Sequence, residues 1–359
     1  MKVSNQSLAI AATAGAVLLA TGDLMLIHAL QPYKLDMAIL YVICGIAAAL
    51  AVYFCGIKRL LKAAPYLMAI EIVLLVLCLF SGFRLYGAAR WVRFGSLFIA
   101  PAMLAMPMLC LFWAYIKKRS AEAISGKTQV IMTAAILLIP GLVFIEPFYS
   151  RTVLIAVMIV VLLALAGCSW KKLAIAAAAI VIAGALLAPT VLKSRPLVDQ
   201  KEFYCNFYQP DYRTQFHTWS VITTLKNSVF FGHHKVSVNR KYYIPNAISD
   251  SALVAGCGEF GYAFFIAALL LMALITVSGT TITLRCQDPV DRLLAGGMTT
   301  AIALPALVNA LMMTGLIPIA GSEFPFLSYG ASAMAANAAA LACIVRIGTQ
   351  KTSTESNEK

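Results

Sequence analysis

Charge is scarce in this chain. Asp, Glu, Lys and Arg make up 12% of its 359 residues, about half of the roughly 25% usual in a soluble domain, and that shortage rules out an ordinary water-soluble globule. Acids are scarcer than bases: 15 Asp and Glu stand against 28 Lys and Arg, a net charge of +13. The bases are scattered between apolar runs and form no aromatic-interleaved stripe, which argues against nucleic acid as a partner. Histidine is limited to four residues. The adjacent pair, His233 and His234, would diverge in an extended strand and chelate poorly, so a solvated loop pair is the better reading. The nine cysteines are an odd number with no CxxC spacing, and Cys44, Cys78, Cys110 and Cys343 fall inside apolar runs. Disulfide framework and zinc site both fit badly.

What the sequence has in abundance is hydrophobicity, 61% of its residues. Taking about 20 apolar residues as one crossing, it predicts an all-α polytopic membrane protein of about ten transmembrane helices. These lie near 8–28, 37–57, 64–82, 97–116, 128–146, 151–168, 173–191, 251–275, 292–317 and 327–347. The first run lacks a small-residue cleavage site and is followed by further spans, so it reads as an anchor rather than a signal peptide. Residues 1–348 make one transmembrane domain, and 349–359 read as a disordered cytoplasmic tail.

Orientation follows from the short loops. Lys58, Arg59 and Lys62, then Lys117, Lys118, Arg119 and Lys127, then Lys171 and Lys172 follow alternate helices, which puts those loops and both termini in the cytoplasm. Residues 190–250, between helices 7 and 8, then form one large extracytoplasmic loop, which up to Ser249 carries eight basic residues against three acidic ones, a surface suited to an anionic partner. Within it Phe216, Trp219, Ile222, Leu225 and Val229 recur at three- and four-residue steps. That pattern suits an amphipathic helix in the outer interface, or a short helix packed on top of the bundle.

Few residues in such a chain can do chemistry. Asp250 stands where a polar stretch turns apolar, at the outer mouth of helix eight, and partial desolvation there can raise a carboxylate's pKa and make it a general base. The same position suits helix capping, since Ser249, Asp250 and Ser251 are all N-cap residue types. Arg90 and Arg93 flank Trp91 in the outer loop after helix three. They could grip a diphosphate bidentately, or simply anchor the chain at the interface. Glu71 lies near the middle of helix three, with Asp23 nearer the end of helix one. Buried acids of this kind suggest either a proton relay or a protonated structural group.

The segment from Val308 to Leu341, "VNALMMTGLIPIAGSEFPFLSYGASAMAANAAAL", resembles the signature of the SEDS family of bacterial cell-wall polymerases, which includes FtsW, RodA and SpoVE. The matching features are Asn309, the Gly-Leu-Ile-Pro turn, and Pro-Phe-Leu-Ser-Tyr-Gly with Ser328 and Tyr329, followed by Ser332. "GAARWVRFG" is similar to the family's Gly-Ala-Arg-Arg-Trp segment, and "SVNRKYYIPNAISD" fills the frame that ends on the family's essential aspartate, here Asp250. Glu259 falls on the second acid of the following Glu-Glu-Leu-Gly, and the register resembles FtsW somewhat more than RodA.

The resemblance implies peptidoglycan glycosyltransfer in the bacterial cytoplasmic membrane, during division or growth. Lipid II would be polymerised on the outer face, with Asp250 as base and undecaprenyl diphosphate as leaving group. Arg90 and Arg93, or a divalent cation such as Mg or Mn, would hold the diphosphate. The implied partners are a class B penicillin-binding protein for transpeptidation and other division or elongation proteins. Four positions depart from the family pattern, the first being Ala89 in place of the leading arginine of the pair. Met103 and Met106 stand where it has an acid and a base, and Phe148 in "EPFYSRT" replaces an aspartate. Loss of such a pair can be neutral when both partners go, or it can leave a weakened homologue acting as lipid II carrier, flippase or scaffold.

Overall fold

The computed structural model describes residues 3–80, 90–94, 97–120, 126–193, 210, 215–232 and 244–350. Among these are twelve α-helices and one two-stranded hairpin. In order they are α1 (Asn5–Leu30), α2 (Leu35–Cys55), α3 (Ile57–Phe80), β1 (Val92–Phe94), β2 (Leu97–Ile99), α4 (Ala105–Ser120), α5 (Gly126–Ile145) and α6 (Tyr149–Leu165). Then follow α7 (Trp170–Lys193), α8 (Phe216–Asn227), α9 (Ala252–Phe260), α10 (Tyr262–Arg285), α11 (Pro289–Met313) and α12 (Ala331–Gly348). Helix ends carry the expected signals. The Ser4 hydroxyl accepts from Ser7 N–H ahead of α1, and Asp288 accepts from Val290 N–H ahead of α11, with Pro289 in the first turn.

Among the described residues seven helices are long and apolar enough to cross a membrane: α1, α2, α3, α7, α10, α11 and α12. Residues 134–145 of α5 and all of α6 are shorter apolar helices. The chain is a multi-pass membrane protein. Its centre is built where α2 runs along α12, α1 along α10, and α11 between α10, α12, α4 and α6. Exposed large side chains such as Ile43, Phe54, Ile70 and Leu270 face outward, as lipid-facing residues must when hydrocarbon, not water, surrounds the bundle.

The structure revises two sequence expectations and decides between the alternatives of a third. The predicted span at 97–116 begins later, because residues 92–94 and 97–99 pair as antiparallel strands, Val92 opposite Ile99. Pro101 then opens a 3-10 turn, and α4 starts at Ala105, since proline supplies no N–H for continuing backbone pairing. The span at 251–275 is two helices, α9 and α10, broken at Gly261 with φ +91°. Residues 229–232 fill the break. Tyr262 and Ala263 N–H donate to the carbonyls of Val229 and Phe230, and Gly232 N–H donates to Phe260 O. A Cβ on Gly261 would meet Phe230 O at 2.6 Å, so only glycine fits. The amphipathic stretch of the outer segment is α8, which packs on α9 with Val221 fully buried. Tyr262 Oη donates to Leu225 O, and Val229 lies beyond the helix end.

Both ends of the chain meet at one end of the bundle. Arg285 Nη1 donates to Val3 O at 2.6 Å. Lys58, Lys117, Lys118, Asp288, Asp291 and Gln350 border a common cavity there, so the basic loops share a face with the termini. His233, His234, most of the basic residues of 190–250, and the tail beyond Gln350 lie outside the described residues.

Candidate functional site

At the opposite end, a cavity of about 650 Å³ opens among the start of α2, the start of α12, the hairpin and the loops before α9 and α12. Asp250 borders it at the end of a tight turn. Ser249 and Ser251 N–H both donate to Asn246 O, and Asn246 itself has φ +54°. Ser251, not Asp250, is the N-cap of α9, and no side chain bonds to that helix end. The capping alternative for Asp250 therefore falls away. Its half-buried carboxylate faces the cavity, with Asn246 Nδ2 donating to Oδ2 at 3.5 Å.

The signature residues hold this turn in place. Asn309, fully buried on α11, donates both amide hydrogens, to Asp250 O at 2.7 Å and to Ser322 O at 2.5 Å. Ser328 Oγ donates to Ser249 O and accepts from Phe324 N–H, both at 2.9 Å. Tyr329 N–H donates to Ile248 O at 2.7 Å, and its ring packs on Tyr41 with centroids 4.9 Å apart. Ser332 Oγ accepts from Ala100 N–H at 2.9 Å, tying α12 to the chain beyond the hairpin. Gly321, at φ +71°, closes the turn from the other side, and a Cβ there would lie 3.3 Å from Asp250 Oδ2. The loops before α9 and α12 are thus stitched together through backbone groups around one carboxylate.

The remaining predicted residues divide. Arg90 and Trp91 border the cavity, with the Arg90 guanidinium 4.4 Å over the Phe148 ring and Nη2 donating to Pro147 O at 3.4 Å. Arg93 does not border it. Three residues along an extended strand reverse the side-chain direction, so Arg93 is exposed on β1, 5.7 Å from the Phe98 ring. It fits the interfacial-anchor reading. Glu259 is buried near the end of α9, away from the cavity. Glu71 and Asp23 are buried in α3 and α1, each with one carboxylate oxygen lacking a hydrogen-bond partner, and neither borders the cavity. Among the described residues no three His, Cys, Asp or Glu side chains come together to hold a metal ion.

Three site residues escaped the sequence reading. Lys34, just before α2, supplies a second cation to the cavity, 5.5 Å over the Tyr329 ring. Glu323 borders the cavity and pairs with Arg151 of α6 at 2.7 Å, both buried. The Met103 and Met106 sulfurs lie against the Arg151 guanidinium. The available signal was that Arg151 and Glu323 are isolated charges at span boundaries in a chain poor in charge. Burial pushes the Asp250 carboxyl up from 3.8 to about 6. The Glu323 charge adds to that rise, and Arg90 and Arg151 oppose it. Behind the turn, His217 Nε2 shares a hydrogen bond with Ser251 Oγ at 2.8 Å, and burial lowers its pKa to about 4, leaving it neutral near pH 7.

Beside the cavity, an apolar groove of about 470 Å³ runs between α1, α2 and α12. Val42 and Gly45 line one side and Met334 and Ala338 the other, and their chain neighbours Tyr41 and Ala333 border the cavity.

The sequence profile of the FtsW/RodA/SpoVE family, described as cell cycle proteins, matches residues 8–353. A probable peptidoglycan glycosyltransferase FtsW from Aromatoleum aromaticum is 25% identical over 311 residues, covering 84% of this chain and 75% of that protein. Among solved structures, a chain from a peptidoglycan synthase complex that coordinates polymerization and crosslinking superposes with a TM-score of 0.74 at 20% identity, over 95% of this chain and 98% of that one. The rod shape determining protein RodA of Thermus thermophilus gives 0.67 at 19% identity, over 94% and 95%. At these identities the structural likenesses establish the fold alone.

Proposed function

The chain belongs to the FtsW/RodA/SpoVE family of cell cycle proteins, and from that premise we propose that it is a peptidoglycan glycosyltransferase polymerising lipid II at the cavity around Asp250. The observation that carries this reading is a carboxylate relieved of helix capping, fixed by backbone clamps and facing a cavity that also presents Arg90 and Lys34. Asp250 takes the proton from the acceptor sugar's 4-hydroxyl as that oxygen forms a bond to the donor's anomeric carbon. The bond from that carbon to the diphosphate breaks, and undecaprenyl diphosphate leaves with the electron pair. A base whose pKa lies near the working pH suits this step, and the raised value at Asp250 brings it closer.

Arg90 and Lys34 are the cations placed to meet the diphosphate, a role in which Lys34 replaces Arg93. Positive charge fixed before the bond breaks stabilises the departing anion more than charge that must reorganise. A divalent cation such as Mg or Mn, carried in on the diphosphate and met by one or two carboxylates, would add positive charge at the same place. The apolar groove between α1, α2 and α12 suits a polyprenyl tail, which explains why a sugar-transfer site belongs inside a membrane bundle. With the basic loops cytoplasmic, the cavity opens to the outer face of the bacterial cytoplasmic membrane. A class B penicillin-binding protein there would crosslink the product.

The test is to purify the protein with its transpeptidase partner, supply lipid II and a divalent cation, and compare glycan strands from wild type and Asp250→Asn. Product from wild type alone supports the reading. Lipid II binding by wild type without any product would overturn it in favour of a carrier or scaffold.

A further inference from the structure

The Arg151–Glu323 pair lies beside Met103 and Met106, and its surroundings suggest a task. Two consecutive residues at the start of α6 reach the loop before α12: Ser150 Oγ donates to Gly321 O at 2.7 Å, and Arg151 Nη2 meets Glu323 Oε1 at 2.7 Å. Between those two anchors runs the backbone that lies against Asp250, where a Cβ on Gly321 would stand 3.3 Å from Asp250 Oδ2 and Ser322 O is held by Asn309. The guanidinium is packed against the Met103 and Met106 sulfurs, neither of which offers it a counter-charge. Glu323 is its ion-pair partner among the described residues.

We propose that Arg151 and Glu323 are a positioning pair that fixes the 321–323 backbone against Asp250 and sets the electrostatic field at the base. This inference rests on the polymerase reading. A buried ion pair gains little stability over an apolar pair of similar shape, but removing one partner is costly because the other charge is left unpaired. What the pair supplies is placement. Glu323 brings a negative charge to the cavity wall, and Arg151 behind it limits how strongly that charge is felt. The other groups facing Asp250 are Arg90 before the hairpin, Lys34 before α2, Asn246 in its own turn, and Tyr329 before α12. Of the cavity-lining residues, Glu323 is the one other acid.

The experiment measures the pH dependence of glycan synthesis by the full-length protein with its partner. Glu323→Gln keeps an oxygen for Arg151 but removes the charge. It should move the acid limb of the profile to lower pH by about half a unit or more. Arg151→Met leaves Glu323 unopposed and should move the limb the other way, with a lower rate at neutral pH. The double variant Arg151→Met/Glu323→Gln, which leaves no unpaired charge, should recover melting temperature relative to Arg151→Met. A wild type that makes no glycan would sink the polymerase reading itself. If wild type is active, an acid limb unmoved in both single variants overturns the pair's role, because mere structural support lowers the rate at every pH alike.

Discussion

Asn309 offers the sharpest test of how the site is held. Its side chain is fully buried, and its two amide hydrogens go to the carbonyls of Asp250 and Ser322, at 2.7 and 2.5 Å. Its own Oδ1 has no partner, so the entire contribution comes from the donor side. Asn309→Leu nearly preserves volume but strands both carbonyls. Each buried carbonyl left unmade costs about 1–3 kcal/mol, so the variant should lose roughly 2–6 kcal/mol of stability. The loss falls on the two loops that meet at Asp250, and a displacement of about 1 Å at a catalytic group can cost about 100-fold in rate. Asn309→Asp should also lose stability despite its closer shape, because a buried carboxyl becomes protonated and its single O–H can serve only one of the two carbonyls. The assays are thermal melting of the detergent-solubilised protein and glycan synthesis. Wild-type melting and wild-type rate in Asn309→Leu would refute the clamp.

Further outcomes follow from the same geometry. With the Asp250 pKa near 6, about nine-tenths of the base is ionised at pH 7 and about one-tenth at pH 5. Glycan synthesis should therefore fall about tenfold between those values, whereas an unshifted carboxyl would lose only about one-twentieth of its rate; a flat profile down to pH 5 contradicts the raised pKa. Because the folded-state pKa is raised, the unfolded chain releases its proton first as pH climbs from 3.8 to about 6, and stability declines across that window. Asp250→Asn removes this cost, so it should melt at or above the wild-type temperature at pH 7 while making no glycan; a lower melting point would mean the carboxylate supports the fold. Lys34→Ala should raise the KM for lipid II more than Arg93→Ala, since only Lys34 borders the cavity. The reverse order would restore Arg93 to the diphosphate site.

Membrane insertion, the approximate helix positions and the placing of Asp250 at a span boundary were legible in the sequence, because hydrocarbon imposes a minimum apolar length and because a lone acid stands out in a chain with 12% charge. The basic loops likewise announced which ends share a face. Tertiary structure alone decided which polar residues converge. Asn309 and Ser328 looked like site residues and turned out to act on backbone carbonyls, which no sequence pattern displays. Arg90 and Arg93 were equivalent on paper, but a hairpin invisible to a hydropathy window turned one inward and the other out. Arg151 and Glu323 are 172 residues apart, and their pairing depends on α6 lying beside the loop before α12. The break at Gly261 needed a distant partner too, since only residues 229–232 could satisfy the backbone groups it frees. Local composition fixes where a chain can reside; the opposing charges and freed carbonyls find their partners only when the bundle closes.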